Sequence, residues 1–262
     1  MQFAFDLISD LHLETWDQFD WAGQATSPVC IVAGDIAHNR RSVVDALTHL
    51  GQCYQAVFYI DGNDEHAGYS GSLNSSYQLM ALQLQNIPNV VYLQDNVVVI
   101  DGVAVIGTNG WWGFDFDLGI DAEGAREWYK EKHIMDDSRL DAIRRMASTD
   151  AAYLTGSVRR LQTHQDVKKI VVVTHTVPDP ALISHDIDLE GRLQFNSMGN
   201  RYMMQAIAAD TEHKIHTWCF GHYHGSVDQI KSNIRFVNNC RGRGDTPYNQ
   251  QVYYPRRILV DV

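Results

Sequence analysis

Short runs of β-branched and aromatic residues recur along the chain, each closed by glycine or by polar side chains. This alternation limits the fold more than any other feature of the sequence. Phe3 to Ile8, Val29 to Ala33, Ala56 to Ile60 and Val90 to Leu93 read as strands. Val97 to Ile100 and Val103 to Ile106 flank Asp101-Gly102, a two-residue hairpin signal. Ile170 to Val173, Thr217 to Phe220, Ile234 to Val237 and Ile258 to Val262 complete the set. Between them, Ser42 to Leu50 repeats apolar residues at helical spacing, as does the long segment from Asp136 through Leu161, where Gly156 is a possible break. Ser197 to Ala209 is a third helical candidate.

Apolar strands alternating with helices imply a sheet covered on both faces, and the hairpin adds antiparallel pairing. No internal repeat, low-complexity tract or linker interrupts the pattern, so one mixed α/β domain over residues 1–262 is expected. At 45% hydrophobic residues the chain can bury a substantial core. The net charge of -11 argues against nucleic acid as a partner, because a uniformly acidic surface repels phosphate backbones. It leaves room for a small phosphorylated substrate, since a local site can oppose the global sign. The four cysteines form no C-x-x-C pair and read as buried, reduced thiols. No signal peptide is visible, and no uncharged apolar stretch reaches the roughly 20 residues of a membrane span, so a soluble, cytoplasmic protein is expected.

The chemistry stands at the strand ends. Asp10-x-His12 follows the first run and Gly34-Asp35 the second, while Gly62-Asn63-Asp64-Glu65-His66 follows the third. Thr174-His175 ends the Ile170 run, and Gly221-His222-x-His224 ends the Thr217 run. Ligands of open α/β sheets bind at the carboxyl ends of strands, so these five groups are expected to meet in one crevice. Carboxylate, imidazole and amide oxygen suit Mn, Fe, Zn or Ni, and no thiolate is among them.

In this order the motifs resemble those of the calcineurin-like metallophosphoesterases: D-x-H, G-D, G-N-H-[ED], a single His, and G-H-x-H. The resemblance spans nearly the whole chain. It implies a four-layer αββα sandwich with two mixed β-sheets and a dinuclear metal centre. Position by position, Asp10, His12, Asp35 and His224 would hold one metal. Asp35 would bridge to a second, held also by Asn63, His175 and His222. It further implies a metal-dependent hydrolysis of a phosphoester by a metal-bridging hydroxide, with Glu65 orienting its neighbours from behind the ligands.

One position departs from the pattern. Asp64 stands where most family members carry a histidine that contacts the phosphate and protonates the leaving oxygen. Beside two cations a carboxylate is ionised and a poor acid. Either Asp64 is held away and His66 supplies the imidazole, or Asp64 faces a substrate whose leaving group needs little protonation, or the site binds metal and catalyses little. Because some small family members with a non-histidine here cleave phosphodiesters or pyrophosphates, a small, nucleotide-like substrate of that bond type is expected. A phosphomonoesterase or phosphoprotein phosphatase, and a non-catalytic metal-binding scaffold, are the alternatives. Trp111 and Trp112 would wall the substrate pocket or else plug a gap between layers. Arg192 would contact phosphate or else be a solvated loop residue. Arg241 and Arg243 resemble a C-terminal Asn-Pro-Arg-Gly-like segment without its proline. His38 and His185 lie near ligand positions in sequence.

Overall fold

The computed structural model describes residues 2–16, 19–184, 188–247, 249–250 and 252–262. In chain order the described strands are β1 (Gln2–Ile8), β2 (Val29–Ala33), β3 (Ala56–Ile60), β4 (Val90–Tyr92), β5 (Asn96–Ile100), β6 (Val103–Thr108), β7 (Lys169–Thr174), β8 (Ile215–Phe220), β9 (Asp228–Lys231), β10 (Ile234–Asn238) and β11 (Arg256–Asp261). The α-helices are α1 (Arg40–Cys53), α2 (Asp64–Ala67), α3 (Leu73–Leu84), α4 (Ala122–His133), α5 (Asp137–Gln162), α6 (Leu189–Phe195) and α7 (Met204–Ala208).

Two mixed sheets result. The first runs β11-β1-β2-β3-β4 and the second β5-β6-β7-β8-β10-β9. In the first, β1 to β4 are parallel and β11 returns antiparallel to β1, pairing Phe3 with Val260. In the second, β6, β7, β8 and β10 are parallel, with β5 and β9 antiparallel at the edges. The sheets stack through their apolar faces: Phe5, Leu7, Ile31 and Phe58 of one meet Val105, Val171, Val173 and Cys219 of the other. Helices α1 and α3 cover the outer face of the first sheet, and α5 and α7 that of the second. Four layers follow from strands buried on both faces, each of which must be covered by another element.

The differences from expectation are local. Gly156 does not break α5, which continues to Gln162 because Leu154, Val158 and Leu161 keep packing onto the sheet beyond it. The Ser197–Ala209 segment is not one helix: Asn200 caps a turn of 3₁₀-helix, and only α7 follows. Helices α3 and α4 and the exposed edge strand β9 lack strong apolar periodicity and were not anticipated. No helix among the described residues is long and apolar enough to cross a membrane.

Helix α5 also sets the loop after β6. Its buried Asp150 accepts hydrogen bonds from the backbone amides of Gly110 (2.8 Å) and Trp111 (3.1 Å). Replacing Asp150 by Ala strands both donors in the interior, so Asp150→Ala should lower the unfolding free energy by about 2–4 kcal/mol in urea titrations. A loss under about 0.5 kcal/mol would mean that the loop holds itself.

Candidate metal centre

Every motif expected at a strand end stands at the carboxyl end of a parallel strand. Asp10 and His12 follow β1, Asp35 follows β2, Asn63 follows β3, His175 follows β7, and His222 and His224 follow β8. The face-to-face sheets bring these ends together. A bridge between Ser9 and Cys240 ties the two sheets beside the site, with Gly242 N donating to Asp10 O at 3.0 Å.

The side chains form two clusters. In one, Nε2 of His12 lies 3.0 Å from Nε2 of His224, which in turn lies 3.5 Å from Asp10 Oδ1. In the other, Nε2 of His175 lies 3.3 Å from Asp35 Oδ2 and 3.1 Å from Asn63 Oδ1, with His222 completing the group. Asp35 Oδ2 also lies 4.0 Å from His12 Nε2, so this carboxylate stands between the clusters. Each trio, Asp10–His12–His224 and Asp35–His175–His222, presents ligand atoms close enough together to hold one metal ion.

The donor set fits metals on independent observations. The buried Asp10 Oδ2 has no hydrogen-bond partner. His175 Nδ1 lies 2.9 Å from the carbonyl of Ala33, and His222 Nε2 lies 3.1 Å from that of Ser197. A carbonyl only accepts, so each ring donates a proton from that nitrogen, and the other nitrogen faces its cluster, where it can bind a metal once it is unprotonated. Four of these residues hold left-handed backbones although none is glycine: Asp10 (φ 50°), His12 (φ 43°), Asp35 (φ 54°) and His222 (φ 63°). Such conformations cost of order 1 kcal/mol each and persist where surrounding structure enforces them. Gly62 belongs to that enforcement, since a Cβ there would drive into Asp35 Oδ1.

Charge is tightly coupled. Burial opposes ionisation of Asp10, but its contact with His224 and the charges of His175, His224 and His12 hold its carboxyl well below the usual range. Burial works against protonated His12, yet Asp64 and Glu14 beside it push its pKa up to about 11. His175 is pushed up to about 10 against the same penalty by Asp35 and Asp10. His222, buried beside His175, is lowered to about 4.

Glu65 is buried and clamps the two loops that carry Asp35 and Asn63. It accepts from Ile36 N (2.7 Å), Gly62 N (2.8 Å) and Asp35 N (3.2 Å). Asp64 reaches the cavity edge and sits among cations: His38 Nε2 at 2.7 Å, His12 Nδ1 at 3.2 Å and Arg243 at 3.5 Å. Burial would raise its pKa, but the contacts to His12 and His38 carry it far below the usual range.

Three expected roles need correction. His66 is fully buried, with its ring nitrogens 2.6 Å from Asp61 Oδ2 and 2.8 Å from Ser76 Oγ, so it cannot reach a phosphate. The cause is α2: residues two apart on a helix point to nearly opposite sides, so Asp64 faces the cavity and His66 the core. Trp111 and Trp112 are likewise buried, and Trp112 stacks on the back of His222 with centroids 5.4 Å apart. They plug the layer behind the site and do not wall a pocket. Arg192 on α6 pairs with Asp117 at 2.8 Å and does not line the cavity. His185 lies outside the described residues. Unanticipated are Arg243 as a cavity cation and the α4 wall, made by Trp128, Tyr129, Lys132 and His133.

No family model and no curated protein sequence matches the chain. Among solved structures, phosphopantetheinyl hydrolase (PptH) from Mycobacterium tuberculosis superposes with a TM-score of 0.71 at 16% identity, covering 97% of this chain and 95% of that one. GAP50, the anchor in the inner membrane complex of Plasmodium, matches with a TM-score of 0.51 at 12% identity, covering 92% and 72%. At these identities the likeness establishes the fold, and it is consistent with the calcineurin-like fold that the motif order implies.

Protons and metal compete for the same imidazole nitrogens. With His12 and His175 raised to about 11 and about 10, both carry protons at pH 7 that a metal bound there would have to displace. The sign is fixed: their pairing with carboxylates stabilises the metal-free fold fully below about pH 6.5, and that contribution fades as pH climbs through 10 and 11. Calorimetric titration with Zn²⁺ at pH 7 in buffers of differing ionisation enthalpy should show about two protons released per filled site pair. Release near zero would mean that these nitrogens are not the ligands.

Proposed function

We propose that this chain is a dinuclear-metal phosphoesterase that hydrolyses a phosphodiester or pyrophosphate-type bond of a small, nucleotide-like substrate. The observation that carries the reading is the convergence of seven ligand-type residues from five strand ends into two clusters, with Asp35 between them. Asp10, His12, Asp35 and His224 would hold one ion, and Asp35, Asn63, His175 and His222 the other. Mn, Fe, Zn and Ni all suit this donor set. Bound there, two such cations supply Lewis acidity to a phosphoryl oxygen and lower the pKa of a shared water.

The chain's own residues do the rest. A cavity of about 710 Å³ opens from the clusters between α4, α6 and the β8 loop, a size suited to a small molecule. Arg243 lines it as a fixed cation, and Asp64, surrounded by positive groups, contributes little free negative charge. Tyr129 and Trp128 offer aromatic surface to the substrate beyond the phosphate. The structural neighbour's name, phosphopantetheinyl hydrolase, adds support for a small phosphorylated group as substrate. A second reading, a metal-binding scaffold with little turnover, draws on the acid-poor carboxylate at Asp64 and on the fold shared with GAP50, an anchor.

Initial rates on bis(p-nitrophenyl) phosphate and p-nitrophenyl phosphate with Mn²⁺ separate these readings. The diester should turn over faster, and His175→Ala should lose more than about 100-fold. Faster monoester turnover would favour a phosphomonoesterase, and no metal-dependent rate on either would favour the scaffold.

A further inference from the structure

A phosphoester with an alkoxide leaving group needs a proton at the departing oxygen, and the first candidates for that task are spoken for. Asp64 is held ionised by His12, His38 and Arg243, and burial isolates His66. His38 spends its Nε2 on Asp64 and does not line the cavity. Of the imidazoles that do line it, His12, His222 and His224 are candidate ligands, which leaves His133.

His133 occupies the last turn of α4. Its ring stacks on Tyr129 with centroids 4.1 Å apart and an interplanar angle of 27°. That contact fixes the ring plane. Tyr129 is itself buried against Trp112 and Phe114, so the platform is rigid. Among the described residues, neither ring nitrogen of His133 has a hydrogen-bond partner, although the side chain is exposed to the cavity. An ordered imidazole with free nitrogens in a cavity rimmed by candidate metal ligands is placed to exchange a proton with whatever fills that cavity.

We propose that His133 is the catalytic proton donor to the leaving group, a role that rests on the phosphoesterase reading above. The step balances without further reagents. Water adds to phosphorus and loses a proton to solvent. The bond from phosphorus to the leaving oxygen breaks, and that oxygen's electron pair takes an N–H proton from the imidazolium form of His133, which is left as neutral imidazole. An alcohol and a phosphate ester are released, and solvent returns a proton to the imidazole. The groups facing His133 tune it in both directions. Burial and the neighbouring Lys132 bring its pKa below the ordinary histidine value, against the smaller upward pull of Asp64, which also lines the cavity. The carboxyl end of α4 also favours the charged ring. An anionic substrate adds to the Asp64 effect, so the proton is held most firmly when the substrate is bound.

The test compares wild type, His133→Ala and His38→Ala on the methyl phosphodiesters of p-nitrophenol and of phenol, with Mn²⁺. A proton donor matters more for the poorer leaving group. His133→Ala should slow the phenyl ester about 100-fold and the p-nitrophenyl ester far less, with added imidazole restoring part of the loss. His38→Ala should show no such dependence on the leaving group. Independently of turnover, the His133 ring in the Zn²⁺-loaded protein should titrate at higher pH once inorganic phosphate is added, as read by imidazole NMR. Equal losses on both esters, no loss, or a titration indifferent to phosphate would overturn the role of His133. A wild-type enzyme inactive on both esters would instead bring down the phosphoesterase reading itself.

Discussion

The candidate centre depends on the carboxylate of Glu65. Buried between two loops, it accepts three backbone amides, two from the loop after β2 and one from the loop after β3. Burial and the charges of Asp35 and Asp61 push its pKa up, so its own ionisation is opposed by the site it supports. Three N–H donors offset part of that penalty, because hydrogen bonds to a charged acceptor are stronger than those to a neutral one. The clamp holds Asp35 in a left-handed backbone and presses Gly62 against its side chain. Asp64 N then donates to Asp35 Oδ1 at 2.9 Å, which orients the carboxylate between the two clusters.

Strain at the candidate ligand residues is offset from the same direction. Asp10 N donates to Gly34 O, His12 N to Asp35 O and His222 N to Asp10 Oδ1, at 2.9, 3.1 and 2.9 Å. Each of these bonds ties one strand end to another, so no loop carries its left-handed residue alone. Behind them lie apolar walls: Trp112 against His222, and the sheet-to-sheet core beneath. Rigid strands supply position, and short strained turns aim the side chains, which is the division expected where ligand geometry matters.

Much of this was legible in the sequence because strand ends are marked twice, once by the close of an apolar run and once by the polar cluster that follows. Asp10, His12, Asp35, Asn63, His175, His222 and His224 carry both marks, and the structure brings them together. His66 carries them too, but its direction depends on whether the chain turns into a helix after Asn63, and no pattern four residues long decides that. Trp111 and Trp112 were ambiguous because a large ring serves a core and a pocket equally well, and only the packing of α3, α4 and α5 around them separates the two. Helix α4 hid for the opposite reason. Its buried face is built from Ala125, Arg126 and Tyr129, so its apolar signal is thin, and with it went the wall that carries His133.

The departure at Asp64 acquires a physical sense from its neighbours. A carboxylate facing a phosphate would repel it, yet here His12, His38 and Arg243 surround the carboxylate. Its charge is spent on fixing them. Arg243 comes from the segment after β10, so Asp64 also ties that segment to the lining of the cavity. A histidine at this position could not play that part, since its ring would add a fourth potential cation to the group. On the loop after β3 the chain thus carries a carboxylate that gathers cations where the resemblance implies an imidazole, and the His133 imidazole lines the same cavity. Under the proposed phosphoesterase reading the two features belong together: with Asp64 anchoring the basic cluster, proton transfer to a departing oxygen would fall to another element, and α4 presents an imidazole to the same cavity.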